Sequence, residues 1–458
     1  MTTTPASLSL SLPAFRSLPR RRFLQAGLGL AAASVVPGFV IGRGAQPPSN
    51  RLNLVCVGVA GRGGDNFGQM LGENIVGICD VDESRAAAAR AKAPGARYHR
   101  DFRRLLDEVG GETDAVVVST PDHTHAVVLL RAIQMGKHVY SEKPLAHSIH
   151  EVRQVQEAAR AKGVVTQLGN QGHSDDSTRT FCEMIQDGAL GTVREVHAFC
   201  GNSYRPRGYV LPPTETPPVP PHLDWDLWLG PAPARPYHPV YHPGKWRGWL
   251  QFGTGIIGDW TCHVLDPSFW ALDLGAPTNL VANAADYADP RVRAETAPAG
   301  SMIQYEFPAK GNRAAVKVIW YDGSFAPPRP PELEPQRKMP AIGAVIVGDQ
   351  GRAMHGSHGA GGWQLLPKTR HEAYRQPPAR LPRSPGHHAN WLSACKGGPG
   401  TCSPFDYGGP LTEIALLGLI ALRFPGQRLE WDARTATFPN FPAANALVNP
   451  PYRTGWRS

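Results

Sequence analysis

No Cys-x-x-Cys pair occurs in the 458 residues, and the seven cysteines are scattered. That spacing argues against a zinc ribbon, an iron–sulfur site and a small disulfide-stapled scaffold. No apolar run is long and unbroken enough to read as a stable membrane span. Charged residues are sparse at 19%, but hydrophobic residues reach 41%, so the chain can bury a core and does not read as disordered. The length suits two domains. Acidic residues are missing altogether from residues 1–64, which carry seven arginines. Five of those arginines precede Ala45, so more than half of the formal net charge of +9 sits in a leader. The remaining charge is a weak footprint for nucleic acid, and no such partner is expected. Glycine (49) and proline (45) are plentiful, which predicts a loop-rich protein.

The leader reads as an address. Arg20-Arg21-Arg22-Phe23-Leu24 precedes a modest apolar stretch from Ala26 to Ile41, weakened by Gly27, Gly29, Pro37 and Gly38. This layout resembles a bacterial twin-arginine export signal. It predicts recognition by the twin-arginine machinery and a periplasmic location, or a membrane anchor where the signal is not cleaved. No clear small-x-small cleavage site stands near Ala45.

From residue 51 the pattern changes. Leu52 to Val57 is a short apolar strand that runs into Gly58-Val59-Ala60-Gly61-Arg62-Gly63-Gly64 and a helix-like stretch. A second strand, Ile75 to Cys79, ends at Asp80, 22 residues beyond Gly58. Strand, glycine loop, helix, strand and acid in this order make a dinucleotide-binding Rossmann unit. Gly58, Ala60, Gly61, Arg62 and Gly63 would bring backbone N–H groups to a pyrophosphate at a helix N-terminus. Asp80 would accept the ribose hydroxyls and repel a 2′-phosphate, which favours NAD over NADP. Ala60 departs from the motif, because it stands where a second glycine lets the backbone approach the phosphates.

The βα alternation continues through strands at 114–119, 138–140 and 164–168, and Ser148 with Glu151 forms a capping box. Thr120-Pro121, Glu142-Lys143-Pro144 and Asn170-Gln171 all fall at strand carboxyl ends, where open parallel sheets bind ligands. Three loops thereby converge on one candidate pocket.

At Glu142-Lys143-Pro144 the chain resembles the Gfo/Idh/MocA family of sugar and inositol dehydrogenases. The resemblance extends through Ser119 to His125, Gly136-Lys137-His138-Val139 and Gly169-Asn170-Gln171 to Gly258-Asp259-Trp260-Thr261-Cys262-His263, and spans roughly residues 51–440. Trp225 to Pro231 and Ala394 to Gly398 resemble a secreted bacterial branch of the family. The resemblance implies Lys143 beside the nicotinamide and the reacting hydroxyl, with Pro121 and His125 in a loop bordering the nicotinamide. Hydride transfer from a secondary alcohol needs a nicotinamide, a base for the hydroxyl proton and a group that stabilises the developing oxyanion. Lys143 and His263 would share the acid–base work. Asp259, one helical turn before His263, would bind a sugar hydroxyl or orient His263. His123 and His125 invite a metal reading, but no third ligand is apparent and no metal is expected. Cys262 lacks support as a catalytic thiol, and Cys56, Cys79 and Cys200 read as core.

The fold expected is therefore α/β. A signal and linker occupy residues 1–49, and an N-terminal, doubly wound parallel Rossmann sheet occupies 50–172. An α+β domain with an open, mainly antiparallel sheet follows over 173–440, then a tail over 441–458. The aromatic residues Trp225, Trp228, Tyr237 and Tyr241 in the Pro-rich stretch 206–243 either stack on sugar or pack their own loop. Open sheets of the family pair their faces, which implies a homodimer or homotetramer. Three functions compete: an NAD-dependent oxidoreductase acting on a sugar, cyclitol or polyol; a glycoside hydrolase that keeps NAD bound and oxidises the sugar transiently; and a non-catalytic sugar-binding protein.

Overall fold

The computed structural model describes Met1 and residues 50–456. The export signal read in residues 1–49 therefore lies outside the described residues.

The first layer system is a Rossmann sheet. Strands β1 (Asn53–Val57), β2 (Asn74–Cys79), β3 (Arg97–His99), β4 (Ala115–Val118), β5 (His138–Ser141) and β6 (Thr166–Leu168) stand in the order β3-β2-β1-β4-β5-β6. Every neighbouring pair is parallel. Helices α1 (Arg62–Met70), α2 (Glu83–Lys92), α3 (Phe102–Val109), α4 (His125–Gln134) and α5 (Ile149–Lys162) make the crossovers. β4 is Ala-Val-Val-Val and fully buried, as expected for a strand covered on both faces. Local signals set the helix starts: Asp82 caps α2, Asp101 caps α3, and Ser148 with Glu151 closes a capping box on α5. Strand order reverses between β1 and β4, so the loops after them form the crevice of a topological switch point.

The second system is built on an eight-stranded mixed sheet. Helix α6 (Asp176–Gln186) leads into β7 (Val193–Cys200). A long strap then carries α7 (Trp225–Leu229) before α8 (Gly255–Val264) and α9 (Asp266–Ala271). Strands β8 (Asn279–Ala284), β9 (Ser301–Phe307), β10 (Val316–Asp322), β11 (Ile342–Gly348), β12 (Gly351–His355) and β13 (Gln364–Leu366) follow, with a short α10 (Pro290–Glu295) after β8. Only β7 and β10 pair in parallel; the other described pairs are antiparallel. β9 alternates buried and half-buried positions, the period-2 signature of a strand with one covered face. Helices α11 (Lys368–Ala373), α12 (His387–Cys395) and α13 (Phe405–Ala421) complete the half, and β14 (Leu429–Glu430) pairs with β8. α13 is apolar nearly all round and buried on most sides, wedged against α5 and α8.

Two late segments return to the first sheet. Trp391 of α12 is fully buried among Leu54, Val117 and Tyr140. Trp456 of the tail packs on Phe102 and lies under the Arg103 guanidinium, 4.4 Å away. The strap aromatics pack mainly on one another: Trp225 stacks on Trp228 at 4.6 Å, and Tyr241 meets Trp249 at 4.9 Å. They are chiefly a small core of their own. Among the described residues no helix is long and apolar enough to cross a membrane.

Candidate active site

The glycine loop is built by contacts that no side chain fits. Gly58 has φ +78°, and a Cβ there would sit 2.7 Å from the Ser119 carbonyl oxygen. A Cβ on Gly63 would sit 2.1 Å from the Gly58 carbonyl oxygen, so α1 starts pressed against the end of β1. Gly61 (φ +57°) precedes α1 and no side chain caps it, which leaves that helix start open to an external anion. Asp80 is held by two amides, Val59 N–H and Asp82 N–H, each at 3.1 Å. Burial pushes its carboxyl up, and those amides pull it back. Each carboxylate oxygen keeps a further lone pair for a ribose hydroxyl. Gly58, Ala60, Gly61, Arg62, Asp80, Thr120, Pro121, Glu142, Lys143 and Asp259 all line one cavity along this crevice. A backbone cradle and a half-buried carboxylate beyond it fit a dinucleotide.

The strap roofs that cavity with Leu227, Trp228, His242 and Trp246, and the tail adds Trp456. It docks just beyond Asp80. Asp224 N–H donates to the Val81 carbonyl at 2.9 Å and Glu83 N–H to the His222 carbonyl at 3.0 Å. Asp82 meets two strap imidazoles, His222 at 3.0 Å and His242 at 2.9 Å. Burial pushes the Asp82 carboxyl up, but the Ser84 hydrogen bond and those imidazoles outweigh it and hold it below the usual range.

At the other end, Lys143 after β5 and Asp259 of α8 form an ion pair, both largely buried. The Asp259 carboxylate also accepts from the Tyr204 hydroxyl at 2.5 Å, and Arg247 Nε lies 3.7 Å away. Burial disfavours both charges, but their attraction to each other and to their neighbours wins. Lys143 is raised by Asp259 and Glu142, and Asp259 is held far below the usual carboxylate range by Lys143 and Arg247. The pair is charged at all ordinary pH values. Trp260 Nε1 donates to the Tyr204 oxygen at 3.4 Å. One turn after Asp259, His263 is 6% exposed, and its Nδ1 is buried without a hydrogen-bond partner. Burial, with Lys143 and His358 behind it, pushes its pKa well below the ordinary value, so the ring is neutral. His358, from the loop after β12, lies beside it with ring centroids 4.7 Å apart.

Five of the residues read from the sequence stand behind the cavity wall instead of on it, His263 among them. Gly63 is buried under its own loop. His125 places its two ring nitrogens 2.8 Å from the carbonyls of Thr120 and Pro144, bracing two loops against each other. Asn170 is fully buried and accepts from Ser403 Oγ at 2.7 Å. Gln171 donates to Tyr140 at 2.8 Å and to Glu142 Oε1 at 3.0 Å. Glu142 is itself a hub. The same oxygen accepts from Arg62 Nε at 3.2 Å and Asn66 Nδ2 at 2.9 Å, which ties the glycine loop to β5. His123 is buried, and its ring nitrogens face the carbonyls of Trp228 (2.9 Å) and Phe252 (3.2 Å), so no lone pair is directed at an ion. Cys262 is fully buried, and burial pushes its thiol up to about 12. Tyr204, Arg247, His358 and the strap contacts to Asp82 were not found by sequence reasoning. No motif marks them, and the aromatic-rich composition of the strap was the only available signal.

Comparisons with known proteins agree with this architecture. Residues 52–170 match the family described as "Oxidoreductase family, NAD-binding Rossmann fold" and residues 182–292 its C-terminal alpha/beta domain, together about half of the chain. Inositol 2-dehydrogenase 2 of Saccharopolyspora erythraea is 32% identical over 160 residues, 34% of this chain and 47% of that protein. Glycosyl hydrolase family 109 protein 2 of Akkermansia muciniphila is 30% identical over 160 residues, 32% of this chain and 33% of that protein. The match thus spans at most about half the length of these curated relatives. Among solved structures, an inositol dehydrogenase homologue from Azotobacter vinelandii, complexed with NADH and myo-inositol, superposes with TM-score 0.54 at 16% identity. The superposition covers 83% of this chain and 98% of that one, and it shows a shared fold. The glycine loop, the amide-held Asp80 and the family match together make the first half an NAD-binding domain. The chain belongs to the Gfo/Idh/MocA oxidoreductase family.

Proposed function

We propose that the protein is an NAD-dependent oxidoreductase that moves a hydride between a hydroxyl of a sugar, cyclitol or related polyol and a tightly held nicotinamide. The observation that carries this reading is the buried Lys143–Asp259 pair at the end of the dinucleotide cavity, with His263 one turn further along α8 behind its wall. NAD, when bound, supplies the hydride acceptor and donor. Residues 58–63 would hold its phosphates and Asp80 its ribose. Lys143, kept charged by Asp259, stabilises alkoxide character on the reacting oxygen. His263, kept neutral by burial, accepts the hydroxyl proton. Asp259 fixes the ammonium and, through Tyr204 and Arg247, is itself fixed. The strap over the cavity supports a nucleotide that stays bound through successive turnovers.

A second reading is a glycoside hydrolase that oxidises its sugar transiently and reduces it again. The same roofed cavity and the family 109 relative favour it. The two separate in one assay. Net appearance of reduced nicotinamide with a polyol supports the oxidoreductase. Release of a phenol from an aryl glycoside without net reduction supports the hydrolase. Failure of both, with no nucleotide bound, leaves a sugar-binding protein. We also propose export by the twin-arginine route to the periplasm or a membrane anchor, tested by fractionation of cells carrying Arg20→Lys/Arg21→Lys. A homodimer or homotetramer completes the proposal, tested by light scattering.

A further inference from the structure

We propose that His358 is a second working imidazole of the site, the group through which the proton taken by His263 passes to solvent. The proposal rests on the oxidoreductase reading above.

The geometry joins a buried ring to an exposed one. His263 is 6% exposed, with a buried, unpartnered Nδ1, whereas His358 is exposed and its Nδ1 is 3.1 Å from Ser357 Oγ on the surface loop. The rings lie 4.7 Å apart between centroids and no hydrogen bond joins them, so transfer needs a turn of the exposed ring toward the unpartnered Nδ1. Trp260 meets both rings edge-on, at 5.9 Å and 5.1 Å.

The loop is built to hold this pose. His358 has φ +51°, a left-handed backbone unusual for a residue with a side chain. Gly359 N–H donates to the His263 carbonyl at 2.9 Å, and Ala360 N–H to Thr178 Oγ1 at 3.1 Å. On the other side, a Cβ on Gly172 would lie 2.3 Å from the His358 carbonyl oxygen. The loop is thus clamped between α8 and the start of α6.

The charge balance gives the second ring its task. In the oxidation direction the substrate O–H bond breaks and its proton goes to His263. The C–H bond breaks and its electron pair leaves as hydride to the nicotinamide dinucleotide, and a carbonyl forms. His263 is then an imidazolium beside Lys143 and Arg62, which oppose its charge, with Asp259 of its own helix favouring it. Lys143 is already protonated and cannot take the proton. At His358 the Lys143 and Arg62 charges oppose a proton and those of Asp259 and Asp175 favour it, and this ring is the neighbour that reaches water. The proton therefore passes to His358 and then to solvent, and the reverse path serves reduction.

The test uses His358→Gly, since glycine accepts the left-handed backbone and leaves an imidazole-sized gap. Two readouts are taken on the full chain. In nitrogen-labelled protein, exchange of the His263 ring proton with water should slow about tenfold or more in the variant and recover with millimolar imidazole. In single-turnover reduction of bound NAD by a polyol substrate, the rate should fall about 10- to 100-fold with little change in KM. That rate should then rise with buffer-base concentration, which leaves the wild-type rate unchanged. Unaltered ring exchange, or a rate loss that neither imidazole nor buffer restores, overturns the proposal. A wild-type protein in which no polyol reduces bound NAD overturns the reading beneath it, and this inference with it.

Discussion

The two halves of the molecule build one site by different means. The Rossmann half works through backbone and packing: a loop that no Cβ fits, an amide-held Asp80 and a Glu142 hub that locks the loop to β5. The second half works through side chains gathered from far apart in sequence, with Asp259, Tyr204 and His358 meeting Lys143 and His263. The difference teaches where each kind of function resides. A ligand that is the same for every member of a fold can be held by main chain. The reacting group of a variable substrate needs side chains that a strap and loops can exchange.

Five substitutions probe this contrast. The largest effect is expected for Lys143→Ala, where turnover should fall about 10³-fold or more while nucleotide stays bound. Parallel measurement of rate and of released nucleotide checks both halves at once. Asp259→Asn should cost less and leave a pH signature. The Lys143 pKa is raised by Asp259, so removing that charge lowers it, and activity should decline on raising pH where wild type remains level. Next comes Gly63→Ala, in which a Cβ only 2.1 Å from the Gly58 oxygen forces the loop open. It should abolish nucleotide binding and cost about 2–4 kcal/mol by chemical denaturation.

A smaller effect is expected at the strap. Asp82→Ser keeps a cap for α2 but removes the carboxylate shared by His222 and His242. NAD should then dissociate about tenfold faster in stopped flow, a change of about 1.4 kcal/mol, with the chemical step unaltered. The smallest effect lies in the second sheet. Burial raises the Asp322 carboxyl to about 6, against the hydrogen bonds from Trp320 and Ser301. The folded state therefore holds the proton more tightly than the unfolded chain. Stability is greatest below the unfolded pKa and is lost as pH rises through about 6. Asp322→Asn should stabilise the protein by about 1–3 kcal/mol at pH 8 and by almost nothing at pH 4, as read from urea midpoints.

The first half was legible because its signals are local. Gly58, Gly63 and Asp80 lie within one βαβ unit, and the apolar run of β4 and the Ser148 box announce their own elements. The second sheet was legible only as a class, a mainly antiparallel sheet in an α+β domain. What escaped was contact over long separations. Tyr204 is 55 residues from Asp259, and His242 is 160 from Asp82. Nor did any motif show that His125, Asn170 and Gln171 would stand behind the wall as braces. Their hydrogen bonds to Pro144, Ser403 and Tyr140 exist only once the sheet has formed. The strap aromatics posed a choice between ligand and packing that composition cannot make, and stacking within the strap made it for Trp225 and Tyr241.

The claim tested first is that the first half, roofed by the strap, retains NAD for chemistry that its Lys143 shares with Asp259 and His263 of the second. Its most direct test is to purify the protein, denature it and identify the released nucleotide by mass spectrometry. The account predicts NAD at close to one per chain. NADP in its place would contradict the role given to Asp80. A protein that releases no nucleotide and binds no NAD on titration would contradict the account as a whole.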